Sequence, residues 1–174
     1  MRRNWTGHWG NLSIAALIRE LKIDEMGLDD SEFGAALSVA GKFALSDGDD
    51  FRWQLNYGNA LGRYMGLNSF NVGALDATNK IVLTTQYGVL AAFRHVWNER
   101  FHSSFGASFS NADNDTAISG LAVPESYQSA HADIIWSPID RMSLGAEYIW
   151  GRRADESGDD GTLNRLQFSA KYLY

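Results

Sequence analysis

The chain has 174 residues, of which 45% are hydrophobic and 21% charged, with a formal net charge of −6. This length argues for a single domain spanning residues 1–174, and the apolar fraction is too high for a disordered chain. The negative charge makes nucleic acid an unfavourable partner. The absence of cysteine excludes disulfides and thiolate metal sites.

The N-terminal region contains no segment that would cross a membrane as a helix. Its longest apolar stretch, residues 14–18, ends at Arg19 and falls well short of the roughly 18–20 residues that a spanning helix needs. Arg2 and Arg3 follow Met1 as in the basic part of a secretory signal peptide, but no small-residue cleavage site follows an apolar region. We therefore expect a cytosolic protein, a mature exported protein or a piece of a longer chain.

Alternation of apolar and polar residues predicts about eight strands, most of them long. The first, residues 9–23, is ambiguous. Leu12, Ile14 and Ile18 alternate with polar residues, whereas Ile14 and Leu17 also fit the apolar stripe of a helix. The other seven are predicted, in chain order, at residues 33–46, 51–57, 80–97, 100–110, 129–136, 143–151 and 165–174.

The predicted connections alternate in length. Those at residues 47–50, 98–99 and 138–141 are short and polar, and those at 66–79, 111–126 and 154–164 are long and rich in Gly, Asn, Asp and Ser. Long strands joined by turns at one end and loops at the other are typical of outer-membrane β-barrels, because hydrocarbon offers no partners to an open sheet edge. We therefore predict an all-β fold, an antiparallel transmembrane β-barrel; the alternative is a soluble sandwich with an aromatic core.

Aromatic residues support the membrane interpretation. On the face expected to meet lipid they fall near the strand ends, where amphipathic rings anchor a barrel at the two interfaces. Trp53, Trp97 and Trp136 are expected at the short-turn end, and Tyr127 and Tyr148 toward the loops.

The end of the chain resembles the C-terminal signal of outer-membrane β-barrel proteins. Residues 166–174 carry a terminal aromatic residue, Tyr174, with apolar residues at alternate positions before it, among them Phe168 and Tyr172. In that superfamily the assembly machinery recognises this strand, so the resemblance gives Phe168, Tyr172 and Tyr174 the role of an assembly signal.

Several internal stretches resemble the DcaP-type trimeric porins, at residues 50–58 with 62–64, 92–97, 144–153 and 164–168. The order and spacing match the C-terminal half of such a porin, whose members form larger barrels. The resemblance implies a bacterial outer-membrane location, contact with membrane lipid, a homotrimer and passive diffusion of dicarboxylates and other small anions.

Charged residues on the face expected to point inward form the candidate site. Lys42, Arg52, Arg94 and Lys171 lie at similar distances from the short-turn ends of their strands, with Asp133 and Glu147 near the same level. A basic arc facing an acidic one sets a transverse field at a constriction and favours anions. Arginine suits carboxylates because its planar fork binds both oxygens.

Two alternatives remain for the barrel. If eight strands close alone, the interior is filled by side chains. The same residues would then pair across strands, Lys171 with Glu147 for example, in an anchoring or adhesive protein. A lipocalin-like ligand carrier is a minor alternative, resting on the Gly-x-Trp opening at Gly7 and Trp9.

Nothing in the sequence predicts an enzyme. The four histidines share no metal-ligand spacing. Ser129, His131 and Asp133 lie on one strand face, where a hydrolase triad would be conceivable, but polar lining of a lumen is the better interpretation. We expect no catalytic residue, metal or cofactor.

Overall fold

The chain folds as an antiparallel sheet with little helix. The computed structural model describes residues 1–25, 27–45, 48–59, 61–65 and 69–174. Residue 46 of a predicted strand, residue 47 of a predicted turn and residues 66–68 of a predicted loop lie outside them. The elements are β1 (Arg2–Gly7), β2 (Gly10–Glu25), β3 (Leu28–Ala44), β4 (Asp50–Gly58), a 3-10 helix (Gly62–Tyr64), β5 (Gly73–Leu75), β6 (Ile81–Leu83), β7 (Thr85–Asn98), β8 (Phe101–Asp113), α1 (Thr116–Ser119), β9 (Pro124–Ile139), β10 (Met142–Asp155) and β11 (Asp160–Tyr172).

Nine of the described strands form one sheet in the order β1-β2-β3-β4-β7-β8-β9-β10-β11, and β5 pairs with β6 separately. The eight predicted strands correspond to β2, β3, β4 and β7–β11, so the expected number was too low. β1, which has only six residues, and the three-residue strand β5 were not predicted. β6 lies inside the strand predicted at residues 80–97, which the structure divides into β6 and β7. Within the described residues the sheet is open, with β1 and β11 at its edges, and is not a closed eight-stranded barrel.

The ambiguous N-terminal segment is a strand. Every residue of β2 from Gly10 to Glu25 has a partner on β3, so cross-strand pairing decides against the helical alternative. None of the helices in the described part of the chain is long and apolar enough to cross a membrane.

The alternation of turns and loops is only partly as predicted. The expected long loop at residues 154–164 is a hairpin, because β10 runs to Asp155 and β11 begins at Asp160. The ion pair between Arg152 and Asp160, at 2.8 Å, and Gly158 with φ 86° close this turn. The end of the sheet predicted to carry long loops therefore also carries close turns.

The two faces of the sheet differ sharply in chemistry. Phe43, Phe51, Phe93 and Phe105 are successive partners across β3, β4, β7 and β8 and lie on one face, which we call the apolar face. Their neighbours in the chain point to the opposite, polar face because strand residues alternate in direction. In these four strands the residues predicted to share the apolar face are the ones that share it.

The apolar region slants across the sheet. Its last members toward the loops are Phe33 on β3 and Leu166 on β11, followed on the same face by Ser31 and Asn164. Through the register Leu166 is level with Phe43, ten residues along β3 from Phe33. That offset is about 34 Å over six inter-strand steps, or about 29 Å, so the strands incline by roughly 50° to the normal of the apolar band. Strands of membrane barrels tilt by a similar angle.

The buried apolar residues form a small cluster on the polar face, toward the loops. The sheet contributes two small residues, and the connection between β4 and β7 contributes three large ones: Ala36, Ala112, Leu61, Met65 and Phe70. A sheet that meets lipid on one face and a polar space on the other has few residues to bury, which accounts for this modest core.

Candidate functional site on the polar face of the sheet

Residues of the β4–β7 connection fold back onto the polar face. We call residues 61–65 and 69–72 the inward segment. Its anchor is Gln86 on β7, whose fully buried amide accepts a hydrogen bond from the Gly62 N–H at 3.0 Å and donates one to the Asn71 carbonyl at 2.6 Å. Gly62 has φ +41°, and a Cβ there would clash with Val72, so this position requires glycine.

Apolar contacts hold the same segment. The Phe70 ring meets Tyr127 edge to face, with centroids 5.2 Å apart. Tyr127, expected on the lipid side, therefore lies on the polar face, in register with Ser110 and Arg153. The expectation was wrong because the inward segment gives an aromatic ring a packing partner on this face.

The inward segment passes close to the wall of the sheet. A Cβ on Gly88 would lie 2.9 Å from the Met65 sulfur, so the small residue permits this close approach. Tyr64, which is exposed, lines a recess with Gln54 and Asn56. The segment therefore narrows the space in front of the polar face.

The charged residues predicted to line the lumen share this face. Arg94, Asp133 and Glu147 belong to one row of successive partners that runs from Asp50 on β4 through Ser104 on β8. Lys42 and Arg52 are partners of each other, two residues further along their strands toward the loops than the Asp50 row.

Lys171 shares the face but lies outside this group. It pairs with Ser143, four residues along β11 from Gln167, the partner of Glu147. The pairing of Lys171 with Glu147, given above as an example for a packed interior, is not formed, since four residues of strand span about 13 Å and Glu147 pairs with His131.

Lys42, Arg52 and Arg94 lie close together on the polar face, and we call them the basic group; the carboxylate of Asp50 lies among them. Arg52 binds both of its carboxylate oxygens, with Nε–Oδ1 at 2.6 Å and Nη2–Oδ2 at 3.1 Å, and the Lys42 ammonium lies 3.3 Å from Oδ2. The Asp50 side chain is only 3% exposed, against 53% for Arg52 and 40% for Lys42. A buried anion is thus covered by two cations that reach into the open space.

Arg94 has a different environment. It is in register between Asp50 and Ser104, yet no carboxylate of the described residues lies within ion-pair distance of its guanidinium. Together, Lys42, Arg52 and Arg94 carry three positive charges on adjacent strands against the single negative charge of Asp50.

The acidic residues Asp133 and Glu147 lie on β9 and β10, two and three strands along the sheet from Arg94 on β7. Asp133 accepts a hydrogen bond from the Ser104 N–H at 2.9 Å, and Glu147 pairs with His131 at 3.1 Å. The Ser129 hydroxyl pairs with Ser108 at 2.8 Å, while the His131 Nδ1 bonds to Glu147, so the conceivable triad is not assembled.

The hairpin β5–β6 is tied to the sheet near the loops. The Lys80 ammonium lies 2.9 Å from one oxygen of Asp30, and the Ile81 N–H donates to the other at 2.7 Å. The hydrogen bond with Asp30 raises the pKa of Lys80. In the turn, N–H groups of Lys80 and Thr78 and the Thr78 hydroxyl lower the pKa of Asp76.

The residues of the expected assembly signal lie at the edge strand. Phe168 and Tyr172 are on the apolar face, opposite Ala146 and Met142, and both are largely exposed. β11 ends at Tyr172, two residues earlier than predicted, so Tyr174 lies beyond the strand.

Sequence reasoning missed Asp50 and Gln86. Asp50 was assigned to a turn, although its position two residues before Arg52 places both on one face of a strand. Gln86 carried no signal, because its partners Gly62 and Asn71 are fixed only by tertiary folding.

Long slanted strands, an apolar face with aromatic residues and a charged opposite face are typical of the class of transmembrane β-barrel proteins. Within that class the chain belongs to the DcaP outer membrane protein family, whose sequence profile matches residues 23–174. The protein is thus a protein of the bacterial outer membrane.

A solved structure has the same fold. The outer membrane channel DcaP of Acinetobacter baumannii superposes with a TM-score of 0.87 at 21% sequence identity, over 98% of this chain and 49% of that one. The chain spans about half the length of that channel. Comparison with curated proteins gives no significant match.

Proposed function

We propose that the polar face lines the water-filled pore of an outer-membrane porin, and that this porin passes small anionic solutes, dicarboxylates among them, by passive diffusion without catalysis. The observation that carries the proposal is the placement of Lys42, Arg52 and Arg94 on three adjacent strands of the polar face. The family and the fold support an outer-membrane channel.

The arrangement of charge favours anions. Arg94 and Asp133 are two strands apart, or about 10 Å, so a field runs along the wall from the basic to the acidic side. Half-exposed guanidinium and ammonium groups offer charge-assisted hydrogen bonds to a carboxylate without enclosing it. Weak, open sites of this kind suit conduction, which requires that a solute also leaves.

The inward segment has the role of a constriction in this proposal. It is pinned through Gln86 in front of the wall, toward the loops from the basic group, and presents the exposed Tyr64 to the same space. A solute entering from the loops would pass this segment before it meets Arg52 and Arg94. Two further proposals come from the resemblance: assembly as a homotrimer and recognition of the last strand by the assembly machinery.

Planar-bilayer recordings of the assembled channel test the function. Under a KCl gradient, the reversal potential should indicate anion preference, and Arg94→Ala should reduce it, more strongly at low salt, where screening is weak. Lys171→Glu, which reverses a charge elsewhere on the same face, is the second variant. Unchanged selectivity in both, with conductance intact, would assign these charges a structural role only.

A further inference from the structure

We propose that Asp50 determines the affinity of the pore for anions, as a built-in counter-ion that occupies Lys42 and Arg52 and leaves Arg94 as the cation to which a solute carboxylate binds. The inference rests on the proposed function and assigns separate roles to the members of the basic group.

The geometry around Asp50 is that of a bound carboxylate. Arg52 binds both oxygens, as a guanidinium binds a carboxylate solute, and Lys42 supplements one of them. Because the Asp50 side chain is covered by its partners, it is not itself available to a passing cation. An external anion must therefore displace an internal one before it can bind Arg52 in the same way.

Displacement is unfavourable because Asp50 is attached to the strand that carries Arg52. The two side chains are two residues apart on one face of β4, so their pairing costs no translational freedom, whereas a free solute must give it up. Arg94, with no carboxylate of the described residues at ion-pair distance, has no such internal competitor. The solute is expected to bind there, in the field of the other two cations.

Asp50 changes the net charge of this part of the polar face by one unit. Lys42, Arg52 and Arg94 together carry +3, and Asp50 reduces this to +2. Removing the Asp50 charge without changing its shape therefore restores the third charge and frees a guanidinium fork. The pore should then bind dicarboxylates more tightly and release them more slowly, which lowers their passage at saturating concentration.

The chain provides a closely matched control in the preceding residue. Asp49 bonds to the His95 ring at 2.8 Å and to the Val96 N–H at 2.8 Å, and alternation separates it from the Asp50 cluster. Asp49→Asn makes the same change of charge one position away. Asp133→Asn removes a carboxylate from the polar face that has no cation partner at ion-pair distance among the described residues.

The experiment measures binding separately from conduction. The full protein in detergent is titrated with succinate by calorimetry, at low salt, and the same variants are recorded in bilayers with succinate as a blocker of the chloride current. Asp50→Asn should lower the dissociation constant of succinate by about threefold or more, Arg94→Ala should raise it, and Asp49→Asn should leave it unchanged. Asp50→Glu retains the charge and should bind succinate like the wild type. If Asp50→Asn does not fold, Asp50→Glu is the variant that tests the proposal.

The outcomes separate the two proposals. Equal or weaker succinate binding by Asp50→Asn, or an increase as large in Asp133→Asn, would overturn the role of Asp50 whatever the channel conducts. If Asp50→Asn does not fold, Asp50→Glu binding succinate more tightly than the wild type would overturn it as well. Tighter binding by Asp50→Asn in a channel without anion preference would retain the role of Asp50 and reject the transport proposal.

Discussion

Gln86 and Gly62 are joined across 24 residues of sequence by a buried hydrogen bond of 3.0 Å from the Gly62 N–H to the Gln86 side-chain oxygen. The same amide donates to the Asn71 carbonyl, so one side chain closes the inward segment at two points. Gln86 is therefore the residue of the barrel wall that holds the segment through polar contacts, beside the ring contact of Phe70 with Tyr127.

Replacing Gln86 should therefore release the segment. Gln86→Ala leaves the buried Gly62 N–H without its partner, at a cost of about 1–3 kcal/mol, and also removes the hydrogen bond to the Asn71 carbonyl. We expect a larger and noisier single-channel conductance and faster proteolysis within residues 59–84. Gln128→Ala, on the apolar face near the loops, is the control. Wild-type conductance in Gln86→Ala would show that the segment does not limit the pore.

The assignment of the two faces predicts different effects of the same substitution at two neighbouring residues. Val89 pairs with Leu55 on the apolar face, and Leu90 pairs with Gln54 on the polar face, with 41% and 43% exposure. Val89→Arg should lower the free energy of unfolding in lipid by roughly 2 kcal/mol, since arginine costs about 2–4 kcal/mol at the midplane and less toward the interface. Leu90→Arg should change it little. Urea titration followed by tryptophan fluorescence measures both, and equal effects would contradict the face assignment.

The strands could be predicted from the sequence because the two faces of the sheet have different surroundings, and each favours a different kind of residue. Lipid on one side and water on the other force a period of two, which is why Phe51, Trp53 and Leu55 already indicated β4 and its register. Residues 9–23 were ambiguous by periodicity alone, and only pairing with β3 resolves them. β1 was missed because its six residues give too little alternation.

The candidate site could be predicted only in part. Alternation placed Lys42, Arg52 and Arg94 on the polar face, but Asp50, the ion-pair partner of Lys42 and Arg52, was assigned to a turn. The inward segment was beyond prediction, because a loop that packs on the wall follows no period. Tyr127 shows the consequence, since its aromatic ring turns inward to meet that segment.

The hydrogen bonds of Asp49 should make the free energy of unfolding depend on pH in the acidic range. The hydrogen bond with His95 and then the Val96 N–H hold the pKa of Asp49 below its ordinary value. A lowered carboxyl pKa stabilises the folded state above the unfolded-state pKa of about 4, and this contribution is lost as the pH falls through the folded-state value.

The corresponding measurement compares Asp49→Asn with the wild type by thermal unfolding in detergent between pH 6 and pH 2.5. The variant should lose less stability than the wild type below about pH 4, because it has no carboxyl to protonate. Asp140→Asn, in the exposed turn between β9 and β10, controls for the change of charge. Identical pH profiles for Asp49→Asn and the wild type would contradict a stabilising role for this pair.

Two substitutions near the end of the chain should distinguish folding of the barrel from its assembly into the membrane. Phe168 lies inside β11 on the apolar face, whereas Tyr174 lies beyond the last strand residue, Tyr172. Phe168→Asp puts a charge within the apolar face, and should impair both folding in detergent and insertion into an outer membrane. Tyr174→Asp leaves the pairing of β11 with β10 intact and should fold normally in detergent. If the assembly machinery reads the terminal aromatic residue, the same variant should insert poorly in cells. Heat-modifiable mobility on gels measures folding, and outer-membrane fractionation measures insertion; wild-type insertion of Tyr174→Asp would remove this residue from the signal.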